Sequence, residues 1–371
     1  MIIGVPTEIK NHEYRVGMTP ESVAAASAHG HEVIIQDGAG LGIGVDNETY
    51  ESAGAVVVDN APDIFAKAEM IVKVKEPQAV ERKMLRKNQI LYTYLHLAPD
   101  PEQTADLINS EAICIAYETI TDDQGALPLL KPMSQVAGRL SIQAGAYSLE
   151  KSHGGLGVLL GGVPGVAPAN VVILGGGVVG FNAAQMAVGM QADVTILDTS
   201  PKTVENLSNY FGIKAKVIHS NAGILQDYVL GADLVVGAVL VPGASAPKLI
   251  RKEMLVEMKD GAVLVDVAID QGGCFETSKA TTHADPIYTI DGVVHYCVAN
   301  MPGAVPRTST YALNNATLPH LLAIADKGWK QALVDDINLL KGLNVCQGKV
   351  SYEAVAKELG YDYVPAESLV T

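Results

Sequence analysis

Residues 171–198 read VVILGGGVVGFNAAQMAVGMQADVTILD, and within them Gly175, Gly177 and Gly180 stand in G-x-G-x-x-G spacing, with Asp198 18 residues past the last glycine. Each part has a physical task. Gly175 allows a tight turn after an apolar run at 171–174. Gly177 carries no Cβ, so backbone there can come close to a pyrophosphate, and Gly180 lets the following helix pack against the strand. The start of that helix offers unpaired N–H groups and a positive dipole end to phosphates. A second apolar run at 194–197 ends on Asp198, whose carboxylate can accept both ribose hydroxyls and would repel a 2′-phosphate. The chemistry implied is dinucleotide binding, with NAD(H) preferred over NADP(H). The glycine spacing alone is weak in a chain of 36 glycines. Between two strands, with an acid at this remove, it is specific.

Open α/β sheets place ligands beyond the carboxyl ends of their strands, and that rule selects four more residues. Arg15 follows the first apolar run in GVPTEIKNHEYRVGMTP. Its guanidinium fork matches a carboxylate; a surface arginine paired with Glu8 or Glu13 is the competing reading. Lys75, in KVKEP with Pro77 fixing the exit, suits a carboxylate or a polarised carbonyl. Lys73 alternates to the same face, so pattern leaves open which lysine acts and which is solvated. His96, in ILYTYLHLAP, lies between Leu95 and Leu97 and is not expected to be merely solvated. Alone it would read as a core histidine bonded to a backbone carbonyl; beside two cationic anchors, acid–base catalysis is the better reading. Asp270 ends VLVDVAID ahead of Gln271-Gly272-Gly273 and reads either as a group acting at a nicotinamide or as a turn acid, whereas Asp266 inside the run reads as structural. The remaining histidines show no metal-ligand spacing. His29 and His31, flanking Gly30, are expected to be solvated. No serine nucleophile elbow and no P-loop Gly-Lys-Ser/Thr is present.

The elements that must position these residues alternate at a βα pace. Strands are predicted at 2–5, 33–36, 56–58, 71–74, 90–92 and 113–116, then at 171–174, 194–197, 216–218, 234–236 and 263–267. Runs 286–290 and 293–296 flank Asp291-Gly292, a two-residue hairpin signal. Thr19-Pro20-Glu21 and Asp100-Pro101-Glu102 read as helix starts, with cap and proline in place. The last third reads as helical, at 313–325, 330–340 and 352–359, and is expected to return to the first sheet. The fold class is α/β: two doubly wound parallel-sheet, Rossmann-like domains with a cleft between them. Residues 1–130 plus 306–371 are expected to form a discontinuous substrate domain, and 131–305 the NAD(H)-binding domain.

Composition fits this reading. The 371 residues suit two domains, and 48% hydrophobic with 18% charged residues is ordinary for a compact α/β chain. A net charge of −15 excludes nucleic acid as a partner, because phosphates need a basic surface. Anionic substrates must then be captured by local cations or helix dipoles. Four cysteines (Cys114, Cys274, Cys297, Cys346) show no C-x-x-C pair and no zinc spacing, and read as reduced, mostly buried thiols. No basic leader and no apolar run approaching the ~20 residues of a membrane span is evident, so a cytoplasmic location is expected.

Together these segments resemble the alanine dehydrogenase family, along essentially the whole chain. GVPTEIKNHEYRVGMTP is similar to a signature shared with the nucleotide-binding domain of proton-translocating transhydrogenase. Residues 263–310, from VLVDVAIDQGG to CVANMPGAVPRTST, are more specific to alanine dehydrogenase. The resemblance implies reversible, NAD-dependent oxidative deamination of L-alanine to pyruvate and ammonium by a homohexamer. It implies Arg15 and Lys75 on the substrate carboxylate and carbonyl, His96 as acid–base group and Asp270 as a second proton-transfer or polarising group. Cofactor contacts are implied at Ser134, Gly175, Gly177, Val178, Val179, Gly180, Asp198, Ser220, Val239, Leu240, Val267, Ala268, Ile269, Asp270, Lys279, Val298, Ala299, Asn300 and Met301. Lys279 stands where the family commonly has arginine, Gln191 where it has glycine, and His12 where it has an acid. The alternatives are a transhydrogenase-type NAD(H)-binding component, a lysine- or saccharopine-type dehydrogenase, and a non-catalytic NAD(H) sensor.

Overall fold

The computed structural model describes residues 1–239 and 246–370. The strands run in chain order: β1 Ile2–Val5, β2 Glu32–Gln36, β3 Ala55–Val58, β4 Met70–Val72, β5 Ile90–Thr93, β6 Ile113–Ala116, β7 Asn170–Leu174, β8 Asp193–Asp198, β9 Lys216–His219, β10 Leu234–Gly237, β11 Val263–Asp266, β12 Ile287–Ile290, β13 Val293–Tyr296, β14 Leu343–Cys346 and β15 Lys349–Val350. They fall into two compact units, one from Met1–Met133 with the segment from Val305 onward, the other Ser134–Ala304.

In the first unit eight strands take the order β15-β14-β6-β5-β4-β1-β2-β3. The six from β1 to β6 are parallel. Their order, 3-2-1-4-5-6, is that of a doubly wound sheet, which reverses direction between β1 and β4. Both faces are covered, so β4 is buried along its whole length and reads as an unbroken apolar run. Thr19 caps the helix Pro20–Ala28 by accepting the Ser22 N–H, and Asp100 caps Pro101–Ser110 by accepting that of Gln103, as their spacing predicts.

The C-terminal third departs from the helical expectation. The helix there runs Pro306–Lys327 and stops at Gly328 (φ 76°). The predicted helix 330–340 is two, Trp329–Asp335 and Ile337–Leu340, because the Asp336 carboxylate caps the Asn338 and Leu339 amides. Then comes a hairpin that helical periodicity did not reveal: β14 pairs antiparallel with β6, and β15 with β14. Gln347 (φ 49°) and Gly348 (φ 83°) make its two-residue turn. Of the histidines at Gly30, His29 is 46% exposed as expected, whereas the His31 side chain is only 7% exposed. The last turn of Pro306–Lys327 brings Asp326 to them, and His29 Nδ1 and His31 Nε2 lie 2.9 and 2.8 Å from its carboxylate oxygens.

The second unit orders its strands β12-β13-β11-β10-β7-β8-β9, all parallel except β12. The reversal here lies between β7 and β10. Asp291 (φ 48°) and Gly292 (φ 80°) form the predicted hairpin turn between β12 and β13. All four cysteines are free and buried.

His295 on β13 is fully buried, 2.9 Å from the Val293 carbonyl through Nδ1 and 2.8 Å from Thr277 Oγ1 through Nε2. Burial holds its pKa below the ordinary 6.5. An unfolded chain takes up this proton at a pH where the folded one does not, so stability falls as pH drops through 6.5. Urea unfolding followed from about pH 7 to about pH 5 should show that loss, and His295→Gln should reduce its slope by up to about 1.4 kcal/mol per pH unit.

Candidate active site

At the β1/β4 reversal of the first unit, the loop after β1 carries Glu8, Glu13 and Arg15, and the bend after β4 carries Lys73 and Lys75. A cavity of about 350 Å³ lies between the loops after β1 and β2, lined by Glu8, Lys10, His12, Glu13, Arg15 and Gly42, among others; neither Lys73 nor Lys75 lines it. The two lysines part ways. Lys73 is fully buried, its Nζ 2.9 Å from Glu8 Oε2 and 2.7 Å from Glu81 Oε1. Burial alone would lower its pKa, but the two carboxylates outweigh that and hold the ammonium above its ordinary range. The other oxygen of Glu8 accepts the N–H groups of Val74 (2.6 Å) and Lys75 (3.3 Å), tying the β4 exit to the β1 loop. Lys75 itself is half-buried; its ammonium makes no hydrogen bond or close ion pair among the described residues, and its charge acts on the neighbouring Glu76 carboxylate, whose pKa it lowers.

Arg15 does pair with Glu13, but inside the protein rather than on its surface. It is 2% exposed, with Nε and Nη2 each 2.6 Å from a Glu13 oxygen and Nη1 3.0 Å from Met133 Sδ. Burial works against the charge; the Glu13 pairing outweighs it and raises the pKa above the ordinary value.

His96 follows β5. Leu95 and Leu97 are buried, yet the His96 side chain is 43% exposed, against the expectation drawn from its neighbours. The reason is local: His96 takes φ 50°, which turns its side chain away from the apolar stretch. The imidazole stacks on Tyr94 at 5.8 Å and 11°, and the Tyr94 hydroxyl is fixed by a 2.6 Å bond to the Leu129 carbonyl. Glu118, after β6, accepts the His96 amide at 2.6 Å. The acids Glu8, Glu13 and Glu118 were not singled out as site residues from sequence; Glu8 and Glu118 lie within three residues of the ends of β1 and β6, where the strand-end rule that picked out Asp270 points to them as well.

In the second unit the glycine turn sits at the β7/β10 reversal. Gly175 has φ 96°, and a Cβ there would lie 2.9 Å from both Ala238 O and Val239 Cγ2. A Cβ on Gly180 would fall 1.8 Å from Gly175 O, whereas one on Gly177 would meet nothing within 4 Å. Gly177 opens the helix Val178–Gly189 with no side-chain cap, so the amides of Val178 and Val179 have no intrahelical acceptor. At the end of β8, Asp198 accepts the Gly176 and Ser200 amides, each at 2.7 Å. Each of its oxygens keeps a second lone pair for a further donor. The Ser220 amide donates to Asp198 O at 2.8 Å. This open, amide-lined start of a helix beside a held carboxylate fits a dinucleotide.

The other predicted contacts lie beyond strand ends or in turns. Val267 donates its N–H to Gly237 O, and Ala268 and Ile269 are buried in the turn that follows. Asp270 is exposed on the 3-10 turn Ile269–Gln271, and its carboxylate caps nothing among the described residues. Lys279 is exposed, its amide bonded to the Tyr288 hydroxyl. Val298 is buried, Ala299 donates to Thr281 O, Asn300 takes φ 66°, and Met301 opens the 3-10 helix Met301–Ala304. Ser134 is half-buried on the helix Lys131–Ser148. Leu240 lies outside the described residues. Asp266 accepts the Ala268, Cys274 and Phe275 amides, the structural role its place in the strand implied. No cluster able to hold a metal ion occurs among the described residues.

Two doubly wound sheets, one with a dinucleotide cradle and one with a cationic strand-end site, define a nucleotide-binding α/β protein of two domains. The chain belongs to the alanine dehydrogenase/PNT family, whose N-terminal domain matches residues 4–137 and whose C-terminal domain matches 141–353. The alanine dehydrogenase of Halomonas elongata is 58% identical over 370 residues, covering 100% of both chains. The solved structure of an L-alanine dehydrogenase superposes with a TM-score of 0.95 at 50% identity, over 97% of this chain and 99% of that one. A transhydrogenase from Sinorhizobium meliloti shares the fold, with a TM-score of 0.82 at 24% identity over 95% of this chain and 100% of that one.

Lys73→Met should cost about 3–5 kcal/mol in unfolding free energy, because Glu8 and Glu81 are left buried without their cation. Lys75→Met should leave thermal stability unchanged. In the glycine turn, Gly180→Ala should destabilise by about 1–3 kcal/mol or more, while Gly177→Ala should fold normally and weaken dinucleotide binding, as read by calorimetry.

Proposed function

We propose that this chain is an NAD(H)-dependent L-alanine dehydrogenase, interconverting L-alanine, NAD⁺ and water with pyruvate, ammonium, NADH and a proton. We assign substrate binding to residues 1–130 plus 306–371 and nucleotide binding to 131–305. The observation that carries the reading is the division of labour between two lysines at one strand end: Lys73 is locked between two buried carboxylates, and Lys75, next in the alternation, is half-buried with its ammonium in no hydrogen bond or close ion pair among the described residues, its charge felt by the neighbouring Glu76. The relatives named alanine dehydrogenase, similar along their whole length, support the choice of substrate.

When bound, the nicotinamide supplies or accepts the hydride at C4. The chain's own residues do the rest. Gly177, Val178 and Val179 hold the diphosphate on their amides, and Asp198 takes the ribose hydroxyls, which favours NAD(H) because its charge repels a 2′-phosphate. In the aminating direction, Lys75 neutralises the developing oxyanion of the pyruvate carbonyl, and Arg15, fixed by Glu13, adds positive charge near the substrate carboxylate. The exposed imidazole of His96 exchanges protons with the substrate as ammonia adds and water leaves. Asp270 is the second proton-transfer or polarising group. The remaining predicted contacts, from Ser134 to Met301, line the nucleotide. A homohexamer in the cytoplasm completes the reading.

Loss of NADH absorbance on adding pyruvate with ammonium, and its gain with L-alanine and NAD⁺, tests the proposal directly. No turnover with NADH binding intact would replace it with a sensor or a hydride-transfer component. His96→Ala should lower turnover by about 10²–10⁴ while NADH still binds.

A further inference from the structure

Glu118 makes more contacts to the His96 segment than a loop acid needs to. It sits on the 3-10 helix Tyr117–Thr119 directly after β6, with its side chain 14% exposed. Oε1 accepts the His96 amide at 2.6 Å and the Leu95 amide at 3.1 Å, and Oε2 lies 3.2 Å from that same Leu95 amide. Two consecutive N–H groups converge on one carboxylate, and the second belongs to the residue in the left-handed conformation. The same Oε1 is 4.0 Å from His96 Nδ1. That is too long for a hydrogen bond and short enough for the charge to act on the ring.

We infer that Glu118 is a positioning residue for His96. The inference rests on the acid–base role given to His96 above. The carboxylate has two tasks. By gathering the amides of Leu95 and His96 it holds the turn that swings the imidazole out of the apolar stretch, with Leu95 and Leu97 buried on either side. By standing beside Nδ1 it favours the tautomer with its proton on that nitrogen, so the neutral ring presents Nε2 as its basic atom. Tyr94 completes the seat: its ring lies flat under the imidazole, and its hydroxyl is fixed to Leu129 O. The other charge that reaches this seat is that of Arg15, acting on Tyr94, and Glu118 acts on Tyr94 and Tyr352 in turn.

Glu118→Gln is the test, because glutamine Oε1 can still accept the His96 amide while the charge is gone. Read by ¹⁵N NMR on histidine-labelled protein without nucleotide or substrate, the neutral His96 ring of Glu118→Gln should carry its proton on Nδ1 in a smaller share of molecules than the wild-type ring does. Turnover should fall about tenfold, a part of the ~10²–10⁴ that a placed acid–base group supplies. NADH affinity should not change. In wild-type protein at alkaline pH, where the ring is neutral, the ring ¹⁵N shifts should show the proton on Nδ1; this measurement needs no variant and decides the matter if Glu118→Gln does not fold. A proton on Nε2 instead, or a Glu118→Gln protein with the wild-type His96 tautomer and turnover, overturns the role of Glu118. If His96→Ala keeps wild-type turnover, the acid–base reading falls instead, whatever Glu118→Gln does.

Discussion

The buried carboxylate of Glu8 is the contact on which the substrate-side geometry depends. It comes from the loop after β1 and reaches the strand that β1 pairs with across the sheet reversal. One oxygen meets the Lys73 ammonium; the other gathers the amides of Val74 and Lys75. Glu81, from the short helix Ala79–Arg82, closes the group on its other side. The cluster is fully enclosed, so each charge is tolerable only because the others are there. Its effect is to fix where the chain leaves β4, and therefore where Lys75 stands. The adjacent pair Glu13–Arg15 works in the same manner, an acid from within the loop holding a guanidinium in a set orientation.

The same logic of strand ends appears in the nucleotide unit with different materials. There the reversal between β7 and β10 is shaped by the absence of side chains rather than by ion pairs. Gly175 and Gly180 lie where a methyl group would strike backbone, and Gly177 lies where one would point into open space. The first two glycines serve the packing of the turn, and the third leaves a surface that a ligand can touch. Asp198 then links the turn to the next strand by accepting the Gly176 amide. One sheet fixes positive charge with buried acids, and the other exposes backbone dipoles with glycine. Both use the position at which a doubly wound sheet changes direction.

Much of this was legible in the residues. Parallel strands covered on both faces must be apolar throughout, so β1 and β6 stood out to the residue, while β13 was marked by the Asp291-Gly292 turn ahead of it. The glycine spacing and the caps at Thr19 and Asp100 were visible because each reflects a local backbone demand. What could not be read depended on partners far along the chain or on one dihedral angle. Alternation places Lys73 and Lys75 on one face; only Glu8 and Glu81, arriving from elsewhere, separate a structural lysine from an available one. Leu95 and Leu97 argued for an enclosed His96, and a single left-handed φ reversed that. The β14–β15 hairpin was hidden because its strands have only four and two residues, too few for a period to show beside three strong helices. Its Gln347-Gly348 turn was the available signal.

The four cysteines have a consequence for how the protein meets oxidants. Burial pushes the Cys274 thiol up to about 12 and Cys346 up to about 11, and raises Cys114 and Cys297 as well. A thiol must ionise before it attacks a disulfide, a maleimide or peroxide. These four stay protonated at neutral pH and lie beneath the surface. The folded chain is therefore a poor target for glutathionylation or alkylation, and it can handle hydride in a cell under oxidative stress without its own sulfur joining the exchange.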